Sequence, residues 1–135
     1  MKRRARAALI TTLAYMVSCS PTAPSRVTAG TWGGDHVRLD VTAAGATLEY
    51  DCAHGTIDEP LAPDRGGRFS ATGTHVFEHG GPIRVDETPN RHPARYDGQV
   101  SGDTLQLTVT IVDTQQGLGV FTLRLAALSR LTKCL

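Results

Sequence analysis

The chain has 135 residues, 14 Lys and Arg against 13 Asp and Glu for a formal charge of +1, and only 5% aromatic residues. That length holds one small domain with one core and leaves no room for a second. So even a charge balance, which turns negative once residues 1–18 are set aside, argues against the basic face by which nucleic acid is bound.

Lys2, Arg3, Arg4 and Arg6 open the chain with no acidic residue among them and lead into the uncharged apolar run 7–17. This is the layout of a secretory signal peptide. As a helix the run would reach roughly 16 Å, whereas a membrane span takes about 20 residues. Met16-Val17-Ser18-Cys19 resembles the lipobox of bacterial lipoproteins, with Met16 where that family usually has the similarly sized Leu. The resemblance implies a signal peptide over residues 1–18, a diacylated Cys19 as the new N-terminus, and a lipid-anchored place in the cell envelope, outside the cytoplasm. A conventional cleavage nearby would instead leave Cys19 an ordinary thiol, and Arg3-Arg4 lacks the rest of a twin-arginine signal. Residues 19–29 carry two prolines and few large apolar residues, so they read as a semi-extended tether spanning roughly 30 Å.

Without residues 1–18, 10 basic residues stand against 13 acidic ones, a formal charge of −3. Export to an oxidising compartment predicts that the two remaining cysteines, Cys52 and Cys134, bond to each other. Closing a loop of about 80 residues is worth roughly 4 to 5 kcal/mol in the chain-entropy picture, less any native strain. The bond would pin the C-terminus to an interior strand.

From Gly30 to residue 135 the pattern is alternation with period two, and no stretch sustains a helical period. In His36–Val41, Val37, Leu39 and Val41 share a face; in Thr47–Cys52, Leu48, Tyr50 and Cys52 do. A turn at Ala43–Ala46 would set Val41 opposite Leu48, Leu39 opposite Tyr50, Val37 opposite Cys52, and Arg38 opposite Asp51. Asp64–Gly67 reads as a hairpin turn. A long strand follows at Arg68–His79, with Gly73 as a candidate bulge. Residues 80–93 read as loop with at most a short strand, and place His92 on a solvated surface. Ala94–Val100 turns through Ser101-Gly102-Asp103 into a strand whose Leu105, Leu107, Val109 and Ile111 face inward. Leu118–Ala126 turns Phe121, Leu123 and Leu125 inward.

Seven or eight short strands with glycine turns predict an all-β domain over 30–135, a small antiparallel β-barrel that removes exposed edges, with a β-sandwich as the alternative. Gly30-Thr31-Trp32 resembles the G-x-W of lipocalins and other calycins. The resemblance implies that Trp32 caps one barrel end and that Arg124, on the last strand, packs on its indole, a contact of about 0.5–2 kcal/mol.

Among five histidines, His75 and His79 lie roughly 13 Å apart along a strand, too far to share one ion. The register above brings Asp35 opposite His54 with His36 beside them, and such a trio would hold a divalent ion or, protonated, an anionic ligand. Its spacing matches no metal motif, so the trio counts with Trp32 and Arg124 as candidate ligand-binding residues rather than as a metal site. No serine lies in a G-x-S-x-G elbow, and the paired carboxylates fall in turns, so no catalytic residue, cofactor or enzymatic activity is assigned. The reading is an envelope lipoprotein with a binding domain for a small apolar ligand or an envelope protein. Tyr50-x-Cys52 and Ala94-Arg95-Tyr96 are similar to pieces of the small lipoprotein inhibitors of lysozyme, which implies a protein-binding inhibitor as the alternative, beside a purely structural role. The tryptophan-rich segment of those inhibitors is missing, so no inhibitory residue is carried over.

Overall fold

A computed structural model describes Met16, Ser18 and residues 25–135. The rest of the expected signal peptide, Cys19 and the expected tether through residue 24 lie outside the described residues.

Eight strands follow one another: β1 (Gly30–Gly34), β2 (Val37–Val41), β3 (Ala46–Tyr50), β4 (Ala53–Ile57), β5 (Arg68–Phe77), β6 (Asn90–Ser101), β7 (Thr104–Ile111) and β8 (Gln116–Leu125). Each pairs antiparallel with the next, and β8 returns to β1, closing a barrel in simple sequence order. The alternation that predicts strands also fills the interior. Trp32, Leu39, Leu48, Tyr96, Leu105, Leu107, Ile111 and Leu123 are all buried to within 1% of full enclosure. At eight strands a barrel is just wide enough for its own side chains to fill it.

Odd-numbered connections lie at one end and even-numbered ones at the other. The turn Asp35-His36, the turn Asp51-Cys52, the loop 78–89 and the turn 112–115 make one rim, here the histidine end. At the opposite, entry end, Val27 donates its N–H to Leu61 O at 2.9 Å and is 4% exposed. The packed domain therefore starts ahead of Gly30, and Val27, assigned to the tether, belongs to the core. Trp32 closes this end, its indole N–H donating to Thr28 O at 3.0 Å.

Several sequence expectations shift. The β2–β3 loop is tighter than predicted, with Thr42 N–H bonded to Gly45 O at 2.8 Å. The register moves by two, setting Leu39 opposite Leu48 and Val37 opposite Tyr50. A shift of two keeps every side chain on its face, so the inward set survives. Arg38 lies opposite Glu49, not Asp51, and its ion pair at 2.9 Å is with Asp40. Gly73 makes no bulge. It pairs in continuous register with Ile57 and Ala94, and a Cβ there would sit 1.8 Å from Thr56 O, so close strand approach is its reason. The register break lies instead between Val109 and Thr110 on β7, where Leu118 is the extra residue of β8. β6 starts at Asn90, which brings His92 into the sheet rather than leaving it in a solvated loop.

After β8 the chain turns at Ala126 (φ 59°) and runs back outside the barrel as a strap toward the histidine end. It crosses Gly33 and Gly80 so closely that a Cβ would lie 2.2 Å from Ala127 O and 2.0 Å from Leu135 O respectively. The predicted disulfide is formed: Cys134 bonds Cys52, with Cα atoms 5.2 Å apart. Cys52 is exposed in the β3–β4 turn, so the bond fastens the strap to the rim and not to an interior strand.

Gly73→Ala is expected to cost about 1–3 kcal/mol by overpacking, while Gly117→Ala, with open space around it, stays within about 0.5 kcal/mol of wild type in urea unfolding. Cys134→Ser is expected to remove about 2–4 kcal/mol from the oxidised protein in the same measurement.

Candidate functional site

All five histidines gather at the histidine end. His36 sits in the β1–β2 turn, His54 near the start of β4, His75 near the end of β5, His79 just beyond it, and His92 near the start of β6. Four of them face a carboxylate, three from a different turn of the rim and His79 from Glu87 of its own loop. Ionised carboxylates only accept, so the imidazole N–H donates. His36 Nδ1 donates to Asp51 at 2.6 Å, His54 Nδ1 to Glu78 at 2.7 Å and His92 Nδ1 to Asp113 at 2.8 Å; His79 Nε2 donates to Glu87. With Nδ1 so engaged, His36 and His54 keep Nε2 free for a ligand.

The strap is tied into the same network. Asp51 accepts from Thr132 N–H at 2.7 Å, and Lys133 Nζ reaches Glu49 at 3.0 Å, Tyr50 O at 2.9 Å and Glu78 at 3.2 Å. The Thr132 N–H, joined by His36 and Lys133, holds the Asp51 carboxyl below its usual range against some desolvation. Burial would raise Glu78, but hydrogen bonds from His54 and Lys133 outweigh it and leave its pKa lowered. The Gly80 carbonyl and then Glu87 raise His79, both of whose nitrogens face acceptors.

His36 adopts φ 66°, a left-handed conformation that side chains other than glycine seldom take. Its main-chain N–H donates to Arg130 O at 2.8 Å, and its side chain is held by Asp51, so the turn is fixed from both sides.

His75 differs from the other four. It points inward, 2% exposed, against Tyr50 at a ring-centroid distance of 5.1 Å and Phe77 at 4.6 Å. Its Nδ1 and the Tyr50 hydroxyl are buried without a hydrogen-bond partner. Burial, aided by the nearby imidazoles of His54 and His92, pulls its pKa from 6.5 down to about 4. Outside the barrel wall, between β4–β5 and the loop 78–89, lies a cleft of about 350 Å³. Its lining includes His54, Val76, Phe77, Glu78, His79 and Ile83.

Of the sequence-predicted site residues, the structure brings His36 and His54 to one rim but does not join them with Asp35. The chain reverses at Asp51-Cys52, so His54 lies opposite Glu49. Asp35 faces Arg130 of the strap at 3.8 Å instead. Among the described residues no group of three or more His, Cys, Asp or Glu is placed to hold a metal ion. Arg124 does not pack on the indole. It lies opposite Gly33 and is exposed on the outer wall, whereas Trp32 points inward and is fully buried. No family model matches the chain, and neither a curated protein nor a solved structure is significantly similar to it.

Tyr50, His75, Glu78 and Asp51 are the rim and mouth residues that sequence reasoning did not place in the candidate site. The available signal was His75 itself: it falls on the same alternating face as Phe69 and Ala71, which marks an imidazole aimed into the core.

Below pH 6.5 an unfolded chain binds a proton at His75 that the folded chain refuses until about pH 4, so stability falls as pH drops through that window. The lowered carboxyls of Asp51, Glu78 and Glu87 add their loss further down, through the carboxylate range. His79 works in the opposite sense, its stabilising contribution being fully present below the ordinary imidazole value. His75→Leu is therefore expected to flatten the Tm profile above the carboxylate range, with an NMR titration of the wild-type imidazole locating the proton. A wild-type Tm that does not move between pH 6.5 and 4 would contradict this assignment.

Proposed function

We propose that this protein is an exported lipoprotein of the cell envelope, held to a membrane by an acylated Cys19, and that its barrel is a binding domain working through the histidine end. One observation carries the reading: the chain enters the barrel at the end opposite the histidine rim, where Val27 docks on Leu61. A tether leading to that end holds the barrel with its histidine rim turned away from the membrane.

The filled interior supports the second part of the reading. With eight large residues fully enclosed, the lumen leaves no space for a long lipid tail, so binding falls to the rim and mouth. The rim is also where the polar side chains converge and where the 350 Å³ cleft lies, within the size range of small-molecule sites.

A protein-binding module is the second reading. The projecting loop leaves Ile83 82% exposed and Val85 fully exposed, beside the cleft. Large apolar side chains so placed are the kind of feature a protein partner covers.

Membrane fractionation and intact-mass measurement test the anchor: the mature protein is expected to start at Cys19 with added acyl mass, and Cys19→Ala to leave the membrane fraction. A mature chain with no acyl mass would refute the anchor. Capture from envelope extract separates the two binding readings, with a stoichiometric protein lost in Ile83→Ser favouring the second and a co-purifying small molecule favouring the first.

A further inference from the structure

The mouth of the barrel at the histidine end is built differently from the rest of the interior. Phe77, His92 and Phe121 lie on the inward face yet stay partly exposed, whereas Leu39, Leu48, Tyr96, Leu105 and Leu107 below them are enclosed. Their rings join Tyr50 and His75 in one cluster, with Tyr50 to Phe121 at 5.4 Å and Phe77 to His92 at 5.7 Å. Tyr50 stands on β3 and Phe121 on β8, so their contact crosses the lumen. These rings close the interior at this end, and their partly exposed outer side forms a shallow aromatic cup directly above Tyr50 and His75.

Two polar atoms at this cup have nothing to bond. Tyr50 is 94% buried and His75 98% buried, and neither the Tyr50 hydroxyl nor His75 Nδ1 has a partner. A buried polar group left unpaired is destabilising, and native proteins satisfy such groups with protein, water or ligand. Tyr96 adds a third polar group nearby. Its hydroxyl donates to Thr74 O at 2.6 Å and keeps its lone pairs, in room made by Gly55, where a Cβ would come within 2.5 Å of it.

These groups define the guest. A hydroxyl and a neutral imidazole nitrogen each match a partner that both donates and accepts, which a hydroxyl does. No carboxylate, Lys or Arg is among the enclosed residues of the interior, so a charged guest would be desolvated without a counter-ion. The walls are ring faces and edges, which suit a flat apolar body.

We propose that the cup is a binding site for a small uncharged phenol, whose ring lies against Phe77 and Phe121 and whose hydroxyl bonds Tyr50 Oη and His75 Nδ1. The inference rests on the reading of the histidine end as the binding face and names the chemistry of the ligand there. It needs no contribution from the lipid anchor.

The test is NMR titration of the labelled, oxidised domain with phenol, and with toluene as the matched ring lacking a hydroxyl. Phenol is expected to shift Tyr50, His75, Phe77 and Phe121 together and to bind about tenfold more tightly than toluene, the value of one good hydrogen bond. In Tyr50→Phe that preference is expected to collapse while toluene binding stays level. The variant without ligand is expected to be at least as stable as wild type, because it removes an unpaired group. Equal shifts from the two probes, shifts confined to Val76, His79 and Ile83 of the outer cleft, or no shifts at all would overturn the proposal. Shifts confined to the cleft would leave the histidine end as the binding face, so the two readings fail separately.

Discussion

Closure of β8 onto β1 is the constraint on which the rest of the molecule depends. The seam is short, with only Trp32, Gly33 and Gly34 paired to Leu125, Arg124 and Leu123. It is reinforced from both sides. Inside, Trp32 and Leu123 are wholly buried, so opening the seam exposes the largest side chain in the core. Outside, the strap lies against Gly33, Arg130 pairs with Gly34 and His36, and Cys134 ties the end of the strap to the β3–β4 turn. A residue with a side chain at Gly33 would lift the strap from the seam.

The strap also explains why the histidine end is the more elaborate one. To hold a C-terminal segment against three consecutive turns, the rim supplies Asp51 for Thr132, Glu49 and Glu78 for Lys133, and a main-chain contact for Arg130. These carboxylates then orient His36 and His54. One set of acidic residues thus fastens the chain and positions imidazoles whose Nε2 atoms are open. Exposed ion pairs of this kind add little stability singly, so the disulfide and the seam carry the energetic load while the pairs set geometry.

Much of the fold was legible because alternation is a local signal. Leu105, Leu107, Val109 and Ile111 alternate over a single strand, and all four are fully buried. The Cys52–Cys134 bond followed from counting cysteines on the expectation of export. Register was less legible, since it depends on how tightly each loop closes, and the Thr42–Gly45 loop closed one step earlier than expected. That slip, with the unforeseen reversal at Asp51-Cys52, placed His54 opposite the wrong partner. Arg124 failed for another reason: it and Leu123 and Leu125 alternate, and if the leucines point inward the arginine cannot reach an inward indole.

The candidate site was legible only as a surplus of histidines, because its meaning is carried by burial. His75 and His79 look alike in sequence, four residues apart. One ends inside an aromatic cup with an unpaired nitrogen, the other outside with both nitrogens bonded. What separates them is where β5 stops: His75 lies within the paired strand facing the lumen, and His79 lies past Phe77, where the chain has left the sheet. An imidazole and a phenol buried together without partners cost stability that Phe and Leu at the same positions would not. Such a cost is tolerated where something else completes the hydrogen bonds, and this pair lies directly beneath the partly exposed rings at the mouth of the barrel.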